Sequence, residues 1–236
     1  MEFDLDEKLV NGIITDETRQ TRSDLASSGP LVALERSQSR HEARLATAAD
    51  APTLACKAGC YWCCYFSVDV RPVEVLRILE YVQNELAAAD RERITAEIVT
   101  NSAAPAALDD DARVRSNTKC PFLHLGRCSI YSVRPQTCRN YHATNAAGCQ
   151  KAFEEPENDD IDPEFAPLVY QSGHAHVDAF SVALREAGYD VDAYELNMAM
   201  AAALADPQGT KQRFDARQGA FPSIEGCDVP SEFIDS

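Results

Sequence analysis

Residues 56–64 read Cys-Lys-Ala-Gly-Cys-Tyr-Trp-Cys-Cys, four thiols in nine positions. As a helix, this stretch would set positions 56, 60, 63 and 64 on one face. As a loop, Gly59 would let the backbone curl, and either geometry converges sulfurs on one point. A second group follows at Cys120, Cys128, Cys138 and Cys149. Buried free thiols scatter along a chain as small hydrophobes, and structural disulfides belong to oxidising compartments. Eight soft ligands in two blocks of four instead point to zinc or iron. The ninth cysteine, Cys227, stands far from both blocks and reads as a free thiol.

The flanks of these cysteines strengthen the reading. Residues 54–68 and 119–149 contain no Asp or Glu, although a proportional share of the 38 acids among 236 residues would be about seven. They do contain Lys57, Lys119, Arg127, Arg134 and Arg139. Four thiolates on one divalent zinc leave surplus negative charge. Nearby carboxylates would add repulsion, while cations would offset it and lower the thiol pKa values. His124 and His142 lie inside the second block as alternative ligands, and Tyr61, Trp62, Tyr65 and Phe66 are expected to cover the centre and exclude water.

The formal net charge of −16 argues against nucleic acid or an anionic membrane as the main partner. No stretch approaches the roughly 18 consecutive apolar residues of a membrane span. The acidic start, MEFDLDEKLV, lacks the lysines and apolar run of a secretory signal, so a cytoplasmic, reducing location is expected. Nine cysteines in such a compartment read as metal ligands or redox groups.

Outward from the first block, residues 72–88 give the clearest helix. Pro72 suits its first turn, and Val75, Leu76, Leu79, Val82 and Leu86 form an apolar face. Further helices are expected over 31–49, from Asp90 to about 101, near 165–187 and over 192–205. Residues 102–118, with the Asp109–Asp111 run, read as a loop with a short helix. Residues 120–131 (CPFLHLGRCSIY) read as a hairpin with Gly126 in the turn. The expected fold is mainly α: a small helical domain with one short β-hairpin, organised around a cysteine-rich metal site. Its parts would be a flexible arm over 1–30, a helical domain over 31–206 with the metal core at 54–150, and a weakly structured tail over 207–236. His174 and His176, two apart on a helix, face different ways and do not read as a metal pair.

CKAGCYWCC, followed by CPFL, GRCSIYSVRPQTCRNYH and Cys149, resembles the CxxCxxCC (YkgJ-like) cysteine-cluster family of zinc- or iron-chelating proteins. The resemblance spans about residues 54–150 and implies that Cys56, Cys60, Cys63, Cys64, Cys120, Cys128, Cys138 and Cys149 are metal ligands. It brings no established reaction with it. Two zinc ions, one zinc with an iron–sulfur cluster, or one cluster with spare thiols all match the ligand count. The irregular spacing of the second block leans toward iron.

The first three cysteines, with Trp62 before the third, are also similar to the cluster loop of radical S-adenosylmethionine enzymes. Those enzymes carry repeated βα units, which this sequence lacks. The rival readings are thus an iron–sulfur enzyme, redox or S-adenosylmethionine-dependent, and a structural zinc domain that offers helices 165–205 to a protein partner.

Overall fold

A computed structural model describes residues 4–103, 112–113, 115–158, 160–161 and 163–226. Among these, the chain is mainly helical, with two small two-stranded sheets. Helix α1 (Glu7–Ser28) is followed at once by α2 (Pro30–Thr47), and the first cysteine block comes after it. Strand β1 (Asp69–Val70) leads into α3 (Pro72–Glu85) and α4 (Ala88–Ser102). The second block runs through β2 (Leu123–His124), β3 (Arg127–Cys128), α5 (Gln136–Asn140) and α6 (Ala146–Glu154). Helix α7 (Pro167–Glu186), β4 (Tyr194–Glu195), α8 (Leu196–Ala205) and α9 (Pro207–Asp215) complete the order.

Residues 7–28, expected within a loose arm, form a capped helix. The Asp6 carboxylate accepts the Leu9 N–H at its start. The buried positions of α1 are Val10, Ile13, Glu17, Thr18 and Thr21, a helical stripe that turns polar half-way along. Apolar periodicity therefore does not reveal it. The Ser-Ser-Gly-Pro motif is the joint of a helical hairpin: Gly29 takes φ 79° between the helices, and Pro30 opens α2. Helices α1, α2 and α7 pack on one another.

Residues 207–226, expected within a weakly structured tail, are also ordered. Asp206 caps α9 through the Gly209 N–H, with Pro207 in the first turn. Phe214, Ala220 and Phe221 are buried in the main core. That core collects Leu34, the α3 face, Ile94 and Ile98 of α4, Phe122, Phe180, Leu184 and the inner side of α8. Each such fully buried side chain contributes about 1.5–3 kcal/mol. Helices α7 and α8 bury their apolar sides within this core, α7 against α1 and α2, and α8 against α3 and α4.

The expected hairpin is present: β2 pairs antiparallel with β3, with Leu125 (φ 49°) and Gly126 (φ 74°) in the turn. A second pair, β1 with β4, was not foreseen, since two residues on each side leave no alternation to read. It ties the end of the first cysteine block to the start of α8. The Asp109–Asp111 run and Cys227 lie outside the described residues.

Candidate metal centre

The first block does not form a helix. Cys60 N–H donates to Lys57 O around Gly59, whose φ is 90°, and Trp62–Tyr65 follow as a 3₁₀ turn. Cys56 lies in an irregular stretch pinned to the second block. Ala55 N–H donates to Ala143 O at 2.9 Å, and the Cys56 thiol rests 3.9 Å from Ala143 O and 4.0 Å from Tyr141 O.

The two blocks also meet directly. Cys120 N–H donates to Cys64 O across 2.7 Å, joining residues 56 positions apart in sequence. Helix α6, which carries Cys149, packs on the 3₁₀ turn: Trp62 and Tyr65 sit 5.4 and 4.8 Å from the Phe153 ring. Cys128 pairs with Leu123 in the hairpin, and Cys120 and Cys128 pack against the main core. Tyr61 contacts both Trp62 and Tyr65, and Phe66 meets Tyr141, so these half-buried rings border the thiols.

All eight cysteines are free thiols, from exposed Cys56 to buried Cys149. Several resist ionisation. Cys63 is raised by its hydrogen bond with the Cys64 thiol and by burial. Cys120 and Cys138 are raised by burial, with other thiols adding to it. Cys149 is pushed up to about 11 by burial and by Cys56, Cys63 and Cys60. Mutual repulsion of this kind means the thiols are close enough to feel one another's charge. Among the described residues, no group of three or more His, Cys, Asp or Glu side chains is closed to metal-ligating spacing. The donor chemistry fits a thiophilic metal, while the side chains are not drawn in on a point.

The cations expected around the thiols are partly engaged elsewhere. Arg139 donates to Ser132 O and Arg134 O and pairs with Glu42, which also lies 3.3 Å from Arg134. Lys119 pairs with Glu97. Carboxylates from α2 and α4 thus reach the cations of an acid-free stretch of sequence. Arg134 still lowers the pKa values of Cys63, Cys128 and Cys138 against the larger effects that raise them.

Glu74 was missed in the sequence because it looks like an ordinary first-turn acid. It is 2% exposed, and its two oxygens accept the N–H groups of Arg71 and Gln136, coupling α3 to the start of the helix that bears Cys138. His124 stands exposed on the hairpin. His142 is half-buried, and its pKa is lowered by burial and by Arg134.

A model of the CxxCxxCC family, described as "Putative zinc- or iron-chelating domain", matches residues 55–161. Over these residues, a little under half of the chain, the protein is similar to that family. The matched segment takes in all eight clustered cysteines, the hairpin and α6, and leaves α1, α2, α7, α8 and α9 outside. No curated protein and no solved structure matches the chain. No described helix is long and apolar enough to cross a membrane.

Proposed function

We propose that this protein binds zinc or iron through Cys56, Cys60, Cys63, Cys64, Cys120, Cys128, Cys138 and Cys149, and that the metal fastens the CxxCxxCC domain onto the helical body. The observation that carries the reading is the 2.7 Å hydrogen bond from Cys120 N–H to Cys64 O, which holds the two cysteine blocks side by side. Thiols held together without metal must lose protons to bind it, so binding energy becomes folding energy for the segments that carry them. A reducing, cytoplasmic setting accords with eight thiols left unpaired at such close quarters.

Iron as a cluster remains within the same ligand set, since four thiolates serve either a tetrahedral zinc or a [4Fe–4S] centre. A radical S-adenosylmethionine enzyme draws no support from the fold. Among the described residues, both sheets are antiparallel pairs and no βα repeat occurs.

Cys60→Ser and Cys128→Ser, one from each block, test the reading. Elemental analysis of the purified variants should show metal lost from both. Retention of the full wild-type load in both variants would refute thiolate ligation.

A further inference from the structure

The order of cysteines in the chain suggests one site per block, but their placement does not follow that division. Cys56 is pinned to residues 141–143, just before the helix that carries Cys149. On that helix, Phe153 lies four positions after Cys149, on the same side, and it packs on the Trp62–Tyr65 turn. Cys149, from the second block, is therefore presented to the first. On the other side, Cys120 is bonded to Cys64 O, Leu123 N–H closes back on Cys120 O, and Leu123 faces Cys128 across the hairpin.

The electrostatic neighbours divide the same way. Cys149 feels Cys56, Cys60 and Cys63, whereas Cys120 feels Cys138, Cys128 and Cys63. Cys63 is common to both. Cys63 and Cys64 follow one another in a 3₁₀ turn, where successive side chains diverge by about 120°. Adjacent cysteines in that geometry suit two ions better than one.

We infer that the eight ligands form two sites that cross the sequence blocks: Cys56, Cys60 and Cys149 in one, Cys120, Cys128 and Cys138 in the other, with Cys63 and Cys64 on the seam completing one each. The inference rests on the thiolate reading above and deepens it. Each site takes a single tetrahedral ion of the zinc type, and the two share the 3₁₀ turn as a common wall. Neither half of the motif is then a site on its own, which explains why the second block has no short paired spacing.

The test uses the full-length chain, stripped of metal and reloaded anaerobically with zinc, in two double variants. Cys56→Ser/Cys149→Ser joins residues from different blocks but one inferred site, and should keep about half of the wild-type zinc. Cys128→Ser/Cys149→Ser joins residues of one block but two inferred sites, and should keep almost none. The reverse pattern, or total loss in the first variant, overturns the crossed assignment while leaving thiolate binding intact. Full retention in both overturns thiolate binding itself.

Where a double variant fails to fold, thiol alkylation of the wild-type chain gives the same decision. In molecules carrying one zinc, intact-chain mass spectrometry should find Cys149 protected together with Cys56 and Cys60. Protection of Cys149 together with Cys120 and Cys128 overturns the assignment.

Discussion

The imidazole rings of His41 and His176 stack 4.7 Å apart, their planes 8° from parallel, and both residues have zero exposure. They bridge α2 and α7 in the polar seam of the bundle. Ser37 Oγ lies 2.9 Å from His176 Nε2 and donates to Glu17, whose carboxylate also takes two hydrogen bonds from Arg40 and one from Thr21. Both histidines are held neutral. His41 is pushed well below its ordinary pKa by burial, then by His176, and His176 is lowered to about 3 by burial and by Arg44 and Arg40. Glu17 Oε2, 3.6 Å from His176 Nδ1, favours a proton there, but these effects outweigh it.

Stability should therefore fall on mild acidification. The folded-state pKa values lie below the unfolded value, so between them the unfolded chain binds more protons. The stabilisation is complete above the unfolded pKa and declines as pH drops below about 6.5, at up to about 1.4 kcal/mol per pH unit per histidine. Urea unfolding at pH 7.5 and 5.5 should show a loss of about 2–3 kcal/mol from the pair. The variant His41→Gln/His176→Gln should show a flatter dependence, and an equally steep one would contradict the assignment.

Gly173→Ala should destabilise the fold, although alanine is the better helix former by about 1 kcal/mol. A Cβ at Gly173 would stand 2.3 Å from Asn140 Oδ1 and 3.3 Å from His41 Nε2. Overpacking of this kind costs about 1–3 kcal/mol, which exceeds the propensity gain. Thermal unfolding checks this: the midpoint should drop, and a rise would show that α5 and α7 are free to separate.

Glu74→Ala should cost roughly 1–4 kcal/mol, since it strips one buried and one part-buried amide of their acceptor. Glu74→Gln keeps one acceptor oxygen and should lose less. Chemical denaturation of both variants measures the difference, and equal losses would mean that only one of the two hydrogen bonds matters.

Phe153→Ala should weaken metal binding without removing a ligand. Its ring is the contact that seats the Cys149 helix on the Trp62–Tyr65 turn. Loss of such a support lowers affinity by about 10–100-fold. Competition with a chelator reads the change, and unaltered affinity would show that Cys149 is positioned by other means.

The long apolar stripes were legible in the sequence. Of the five apolar positions that mark helix α3, Val75, Leu76, Leu79 and Val82 are buried on it, while Leu86 is its extended C-cap, because the helix stops at Glu85; Gly126 marks the hairpin. Helix α1 was hidden because Glu17 and Thr21 occupy core positions where periodicity expects leucine or valine. Their burial depends on Arg40 and Ser37 from α2, a tertiary pairing that no local window contains. The candidate ligands were legible from thiol clustering alone. Which thiols are neighbours was not, because the seating of α6 on the 3₁₀ turn and the tie from Ala55 to Ala143 are tertiary contacts.

X-ray absorption at the metal edge of the anaerobically purified protein is the most direct test of thiolate binding. The account expects a first shell of sulfur alone, at about 2.3 Å for zinc. A shell dominated by nitrogen or oxygen, with the clustered thiols left reactive, would contradict it.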